Sequence, residues 1–377
     1  MHRRLLLILT ALLSVVGLSA QVVDTPVVQP DEGEPKQERI YAEVEFDVDF
    51  DNTEYSGSGL GNSETLFCVT LMPTICYEWN NKHTIGVGAN LQKNFGSNRF
   101  ADDADLIAYY RYHADKYSVW AGCFSRGKLF GGYSRAFFAN SYLANVSVVQ
   151  GTAFQYRKDN NFFEFVVDWD GLYSAETREK FRIMASGEAR FARVMYAGGA
   201  LSVQHYANKA IFDNNVVDNI LVNPYIGVRF KAFFDFDIRL GYLQSLQRDR
   251  HSVNGGWLTP QGGEASLRIS RWGVFIEENI YFGRNLMPLY NVMGKDGLIY
   301  GSDLYTGDPF YGTTHKIYNR ASVGYARTFW RDRLSVKAQL DLLYDGKALC
   351  TQQIIALAVN IAPTIYDKLK RQKREKR

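Results

Sequence analysis

The chain has 377 residues, of which 22% are charged and 14% are aromatic, and its formal net charge is +3. The excess of positive charge lies at the two ends of the chain, in Arg3, Arg4 and the Lys/Arg-rich segment 368–377. The basic net charge therefore does not indicate a nucleic-acid-binding surface. The mean hydropathy of −0.24, and the lack of an internal apolar run of about 18 to 20 residues, exclude a membrane protein built from spanning helices. If this chain crosses a membrane, it must do so with strands.

The N-terminus has the pattern of a secretory signal. Arg3 and Arg4 precede an apolar run over residues 5–18, and Ala20 provides a small residue for cleavage. Residues 1–20 are therefore predicted to be a signal peptide. Residues 21–38, rich in proline and acids, are predicted to be a disordered periplasmic lead-in. Residues 367–377 are predicted to be a basic periplasmic tail.

From Tyr41 onward, apolar and polar residues alternate with a period of two. Successive side chains of a strand point to opposite faces, so segment 41–50 has one apolar face and one acidic face. The same alternation recurs along the chain and predicts about sixteen strands. They lie near 41–50, 65–78, 83–93, 104–114, 116–125, 147–158, 161–171, 179–191, 194–206, 221–232, 234–246, 262–270, 273–284, 316–329, 332–344 and 351–363.

Strand length and loop length indicate which kind of β-protein this is. Most predicted strands have ten to thirteen residues, whereas strands of soluble proteins average about five or six. Short turns and long loops alternate along the chain, which is typical of outer-membrane barrels. The prediction is an all-β fold, a transmembrane antiparallel up-and-down β-barrel of about sixteen strands over residues 39–366, with both termini in the periplasm.

Aromatic residues near the strand ends support this interpretation, because they could form girdles at the two membrane interfaces. They are Phe50, Trp79, Trp169, Phe181, Phe191, Phe282 and Phe329. The main alternative is a secreted soluble β-sandwich or carbohydrate-binding module, which also alternates apolar and polar faces. Two local features fit the barrel poorly. Glu277 and Glu278 are adjacent, so one should face lipid, and Ile107 and Tyr109 share a strand face with Arg111.

The charged faces of the predicted strands should line the lumen. The predicted lumen-lining residues are Glu43, Glu45, Asp47, Asp49, Glu164, Asp168, Asp170, Lys180, Arg182, Glu188, Arg190, Arg229, Lys231, Asp237, Arg239, Arg268, Arg333, Lys337 and Asp341. Both signs of charge occur on neighbouring strands, which favours cross-strand ion pairs along the wall.

Few residues suggest a catalytic or metal-binding function. Segment 250–255 contains His251 and Ser252 and resembles the His/Ser/Asn cluster of outer-membrane phospholipases, but adjacent strand residues point to opposite faces. The four cysteines and the scattered histidines show no metal-ligand spacing. The sequence therefore predicts no catalytic, cofactor-binding or metal-binding residues and a protein that is not an enzyme, with a barrel phospholipase as the weakest option.

Segments 45–52 (EFDVDFDN) and 307–311 (GDPFY) look like those of poorly characterised envelope barrels, and residues 39–366 resemble Gram-negative porin-like barrels in layout. The resemblance implies an outer-membrane location, with outer-membrane lipids and the barrel-assembly machinery as partners and no nucleic acid. Sixteen strands leave room for a channel for small hydrophilic solutes, which loop 285–315 could narrow by folding inward. The alternative is a non-conducting surface barrel whose loops 126–146 and 285–315 bind a glycan or a protein partner.

Overall fold

The computed structural model describes residues 38–61, 63–207, 209–210, 216–251, 255–294, 297–312 and 317–367. The predicted signal peptide, the lead-in up to residue 37 and the basic tail from residue 368 lie outside the described residues. Within the described ranges, no helix is long and apolar enough to cross a membrane.

The described chain forms one antiparallel sheet of long strands. The strands are β1 (Glu38–Glu54), β2 (Glu64–Trp79), β3 (His83–Asn94), β4 (Asp103–His113), β5 (Tyr117–Ser125), β6 (Val148–Lys158), β7 (Asn161–Gly171), β8 (Lys180–Arg190), β9 (Met195–Tyr206), β10 (Val217–Lys231), β11 (Asp235–Asp249), β12 (Gln261–Arg271), β13 (Val274–Gly283), β14 (Ile317–Phe329), β15 (Leu334–Tyr344), β16 (Leu349–Ile361) and β17 (Thr364–Asp367). The described parts of the loops contain two short α-helices, α1 (Asn140–Asn145) and α2 (Gly301–Leu304).

Each strand pairs with its neighbour in sequence, and β1 closes the sheet by pairing with β16. In this pair Phe50 lies opposite Ile355 and Val44 opposite Ile361. The short β17 continues the line of β16 and pairs with the start of β1. The structure is thus a closed, sixteen-strand, up-and-down barrel, as predicted, and the strand bounds agree with the prediction to within about four residues.

The short turns lie at one end of the barrel, as the alternation of loop lengths predicted. In the β2–β3 turn, Asn80 and Asn81 have φ angles of 54° and 56°, and Asp159 in the β6–β7 turn has a φ of 53°. Asn and Asp tolerate this left-handed backbone, and positive φ at both central residues is the type I′ geometry that suits a twisted hairpin. The conformation of these turns therefore follows from the local sequence and does not require contacts with residues inside the barrel.

The outer surface of the wall is apolar and has an aromatic belt at each end. On β2, Phe67, Leu71 and Ile75 are exposed, whereas Thr70 and Thr74, on the inward face, are buried. Exposed belt residues at the long-loop end are Phe67, Trp169 and Phe282, and at the short-turn end Phe191, Trp272, Phe329 and Trp330. Aromatic rings at both edges of an apolar band are the arrangement of transmembrane barrels.

The adjacent glutamates of β13 remain an exception. Ile276 and Phe282 are exposed on the outer face and Phe275 is buried on the inner one, so alternation places Glu278 on the outer face. Its carboxylate accepts a hydrogen bond from the side-chain amide of Asn319 on β14. The pairing of β13 is regular here, so no bulge removes the carboxylate from the apolar band.

The core of the barrel is its lumen, which two inward-folded loops fill. These are the β5–β6 loop (126–147) and the β13–β14 loop, of which the structure describes 284–294 and 297–312. Buried residues from the loops include Phe137, Tyr300 and Phe310. Some inward-facing wall residues are apolar as well. Ile107 and Tyr109 of β4 face inward and are buried, and the Tyr109 ring lies 5.3 Å from that of Trp120 on β5.

Candidate functional site

The β5–β6 loop enters the lumen because β5 ends early. This strand has nine residues, against seventeen in β1. Its last residue, Ser125, donates a hydrogen bond of 2.6 Å from Oγ to Oε2 of Glu45, which lies near the middle of β1. The chain therefore leaves the wall at mid-height and continues across the inside of the barrel.

Lys128 fixes the start of this loop to the acidic face of β1. Its Nζ makes ion pairs with Glu43 and Glu45, the second at 2.6 Å. Burial by itself lowers the pKa of Lys128, but Glu45 and Glu43 outweigh it and hold that pKa above the ordinary value of a lysine. The ammonium group is therefore charged at neutral pH and neutralises the carboxylates of Glu43 and Glu45.

The loop then crosses to the opposite wall. The backbone amides of Phe130 and Gly131 donate to the carboxylate of Glu164 on β7, at 2.8 and 2.9 Å. A Cβ at Gly131 would lie 2.3 Å from the Tyr133 ring and 2.6 Å from Oε1 of Glu164, so a larger residue would have to displace these two side chains. Arg126 pairs with the buried Asp168 of β7 at 2.6 Å. Backbone and side chains together anchor the loop in a fixed path.

A buried cluster of two arginines and two aspartates joins both loops to β14 and β15. Arg320 contacts Asp308 of the β13–β14 loop at 2.5 Å and Asp341 at 3.8 Å. Arg135 of the β5–β6 loop contacts Asp341 at 3.2 Å and Asp308 at 3.8 Å. Arg320, Asp308 and Asp341 are each at most 3% exposed, so this cluster replaces water inside the barrel.

The β13–β14 loop closes the side of the lumen formed by β8 to β14. Tyr311 donates a hydrogen bond of 2.5 Å to Glu264. Asp303 pairs with Lys180 at 2.6 Å and accepts a hydrogen bond from Tyr206. Burial raises the pKa of Asp303, but Lys180, Tyr206 and Arg178 more than offset this and hold the pKa below its usual range.

The loops leave open space on the side of β1. The largest cavity, of about 650 Å³, lies between the β5–β6 loop and the inner faces of β1, β2, β15 and β16. A cavity of about 400 Å³ at the short-turn end shares Lys128 with it. Another of about 400 Å³ at the long-loop end shares Asp51 and Asn140 with it. The three cavities follow the acidic face of β1 from one end of the barrel to the other.

The predicted lumen residues fall into four groups. Those in contact with the inward loops are Glu43, Glu45, Glu164, Asp168, Lys180, Arg182 and Asp341. Those paired across the wall are Asp170, Glu188, Arg229, Asp237, Arg239 and Arg268. Those lining the large cavity are Glu45, Asp47, Asp49 and Lys337. Arg190, Lys231 and Arg333 lie at the short-turn end, where the Lys231 side chain is 80% exposed and Arg333 belongs to the β14–β15 turn.

Sequence reasoning missed the residues that arrange the lumen from the loops: Arg126, Lys128, Arg135 and Asp308. The alternative function predicted loop 126–146 to be part of an external binding surface, and nothing in its local sequence indicated an inward path. The described residues of loops 126–146 and 285–315 lie mainly inside the barrel, and the binding of a glycan or protein partner by these loops stays a prediction. The inward fold expected for loop 285–315 is present.

Hydrolytic chemistry commonly uses a histidine whose ring is held by a hydrogen bond. Within the described ranges, the His83 ring shares a hydrogen bond of 2.7 Å with the Tyr110 hydroxyl. His251 is exposed, and Ser252 and Asn254 of the phospholipase-like segment lie outside the described residues. No group of three or more His, Cys, Asp or Glu is arranged to hold a metal ion in the parts of the chain that are described.

One polar patch lies on the outer surface at the long-loop end. His205 of β9 faces outward and stacks on Phe181, with ring centroids 4.9 Å apart. Asp218 lies opposite His205 on β10. It pairs with Arg250 at 2.7 Å and with Arg248 at 3.8 Å. The patch combines an imidazole, a carboxylate and two guanidinium groups at one membrane edge.

Comparison with protein families gives a match over nearly the whole barrel. The profile of the family described as "Lipid A 3'-O-deacylase-type" matches residues 33–364. The chain belongs to this family. No curated protein sequence matches the chain. Membership in this family and the closed barrel with its apolar band identify an outer-membrane protein of a Gram-negative bacterium.

The family overturns one prediction. The sequence was interpreted as that of a protein that is not an enzyme, and this is wrong, because the family is one of deacylases. The local sequence contains no catalytic motif. In a barrel wall, residues opposite each other on neighbouring strands lie about 5 Å apart, so an active site needs no local motif.

Several solved structures are similar to this chain at low sequence identity. OpdO of Pseudomonas aeruginosa is 9% identical, with a TM-score of 0.49, and the match covers 86% of this chain and 97% of that one. OpdL of the same species is 8% identical, with a TM-score of 0.47 and coverage of 87% and 99%. OccAB3 of Acinetobacter baumannii is 10% identical, with a TM-score of 0.43 and coverage of 86% and 99%.

Proposed function

We propose that this outer-membrane barrel admits small hydrophilic solutes through a narrow passage beside β1. The observation that carries the proposal is the row of three cavities along the inward face of β1. Neighbouring cavities share lining residues, with Lys128 at one junction and Asp51 at the other. The passage has a polar wall on one side and the β5–β6 loop on the other.

The size of the passage limits the solute. A sixteen-strand barrel without inward loops would hold a wide aqueous channel. Here the two loops occupy most of the lumen and leave a cavity of about 650 Å³. Pockets of about 300 to 1,000 Å³ accommodate single small molecules. The proposed solutes are therefore of the size of an amino acid or a monosaccharide rather than a polymer.

The test is conductance of the purified, folded barrel in a planar lipid bilayer. Stepwise openings of low conductance are expected, because the loops leave a narrow path. Replacement of residues 129–146 by a short turn should increase the conductance markedly, since that loop borders the largest cavity. The heat-dependent shift in gel mobility verifies that each variant is folded. Folded wild-type protein that gives no openings would contradict the proposal.

Family membership favours a second function, the removal of an acyl chain from lipid A. The outward patch at the long-loop end is the place where the described residues could support it. His205 is a potential general base, and Arg248 and Arg250 could contact lipid phosphate as charged donors. Lipid A occupies the outer leaflet, and this patch lies at the corresponding edge of the apolar band.

Mass spectrometry of lipid A from Gram-negative cells that express the barrel would test this function. Wild-type protein should convert lipid A to a species lacking one acyl chain, and His205→Ala should reduce the conversion at least about 100-fold, as expected for loss of a general base. His83→Ala, at the opposite rim, is the control and should retain activity. Unaltered lipid A in cells with folded wild-type barrel would contradict this second function.

A further inference from the structure

The large cavity beside β1 contains two carboxylates for which the described residues provide no ion pair and no hydrogen bond. From this we infer that the cavity binds the cationic group of a small amine- or guanidinium-bearing solute at Asp47 and Asp49. The inference rests on the proposed passage and adds the chemical class of its solute.

The charges that line the cavity are unevenly compensated. The three cations contributed by the β5–β6 loop all have acidic partners: Lys128 with Glu45, Arg126 with Asp168, and Arg135 with Asp341. Asp47 and Asp49 also line the cavity. No ion pair or hydrogen bond of their carboxylates is recorded within the described residues. The negative charge available to a solute is therefore that of Asp47 and Asp49.

A second observation, independent of the acidic residues, concerns Thr70. It lies opposite Asp47 in the β1–β2 pairing and lines the same cavity. The residue is 3% exposed, yet its Oγ1 has no hydrogen-bond partner among the described residues. A buried hydroxyl without a partner is unfavourable, and a hydroxyl oxygen accepts hydrogen bonds from N–H groups. An ammonium or guanidinium group at Asp47 would supply the missing donor.

The spacing along β1 suits passage as well as binding. Residues two apart on a strand lie about 6.6 Å apart on the same face. Asp47 and Asp49 therefore form two successive steps between Glu45, which is occupied by Lys128, and Asp51, which is occupied by Gln352. A cationic group can leave one carboxylate as it reaches the next, so neither step holds it permanently.

Lys337 places a positive charge near Asp49, and its removal provides a test of cation binding in the cavity. Ala356 of β16 pairs with Asp49 on one side and with Lys337 on the other, so the two charged residues lie in one lateral row. At about 4.8 Å per strand, their backbones are separated by about 10 Å. Lys337 lowers the negative potential of the cavity without filling it.

The experiment measures the reversal potential of the full-length folded barrel in a KCl gradient, followed by block of the current with L-arginine or L-glutamate. The wild type should prefer K⁺ over Cl⁻ and be blocked by L-arginine rather than L-glutamate. The double variant Asp47→Asn/Asp49→Asn should lower the K⁺ to Cl⁻ permeability ratio by about fivefold, the factor for one ion pair at contact distance in water. Lys337→Met should raise it.

A matched control removes the same charge elsewhere. Asp159→Asn/Asp332→Asn alters two turn residues with positive φ, which asparagine tolerates, and should leave selectivity unchanged. A conducting barrel that prefers Cl⁻, or whose selectivity survives Asp47→Asn/Asp49→Asn, would overturn the inference and leave the passage intact. A folded barrel that never conducts would overturn both. Retained heat-shifted mobility of each variant separates these outcomes from misfolding.

Discussion

Lys128→Met is expected to increase the K⁺ conductance of the barrel by up to about fivefold. Lys128 lies at the junction of the largest cavity and the cavity at the short-turn end. A fixed ammonium about 4 Å from a passing cation opposes it by about 1 kcal/mol even in water, which corresponds to that factor. Removing it also frees the carboxylates of Glu43 and Glu45 for the solute.

Single-channel recording in a planar bilayer measures this effect. The matched control is Lys158→Met, which removes an exposed lysine at the end of β6 and should leave conductance unchanged. If Lys128→Met conducts like the wild type while retaining heat-shifted mobility, the junction at Lys128 does not lie on the path of the ions.

The stability of the folded barrel should depend on pH through the same residue, Lys128. The pKa of Lys128 in the folded protein is above the ordinary value, so the folded state binds this proton more tightly than the unfolded state does. Its contribution to stability is therefore complete below the unfolded pKa of about 10.4 and is lost as the pH rises through the higher folded pKa. In Lys128→Met, this alkaline loss of stability should be absent.

Arg320→Leu is expected to lower the free energy of unfolding by about 3 to 5 kcal/mol, the typical cost of removing one partner from a buried ion pair. The substitution leaves Asp308 and Asp341 buried, with Arg135 as their remaining cation. Because Asp308 belongs to the β13–β14 loop, that loop should also become accessible to protease. Urea-induced unfolding in detergent micelles, followed by tryptophan fluorescence, measures the change in stability.

Lys231→Met is the control for this prediction. Lys231 pairs with Asp235 at 3.7 Å, but their side chains are 80% and 52% exposed. Exposed ion pairs contribute about 0 to 1 kcal/mol, so the control should unfold nearly as the wild type does. Equal unfolding curves for Arg320→Leu and Lys231→Met would mean that the buried cluster does not anchor the loops.

The strands and turns were predictable because their causes are local. Alternation of apolar and acidic residues in 41–50 defines the two faces of β1, and paired asparagines at 80 and 81 favour a tight turn. Alternation also required one of Glu277 and Glu278 to face outward, and the structure shows that it is Glu278. The regular pairing of β13 shows that the wall accepts this carboxylate beside Asn319.

The contents of the lumen were not predictable in the same way. Lys128 is 83 residues from Glu45 in sequence, and Arg135 is 206 residues from Asp341. Nothing in the local sequence of loop 126–146 distinguishes an external loop from one that returns into the barrel. Whether the loop turns into the barrel depends on where β5 ends and on acidic partners from strands that are distant in sequence.

By itself, the sequence determined the barrel: its strand number, the orientation of its two faces and its location in the outer membrane, because alternation and loop length act along single strands and single hairpins. Tertiary structure alone decided what the barrel contains. The inward loops neutralise Glu43 and Glu45 and leave Asp47, Asp49 and Thr70 facing a cavity. That selection depends on distances between segments that only the closed barrel brings together.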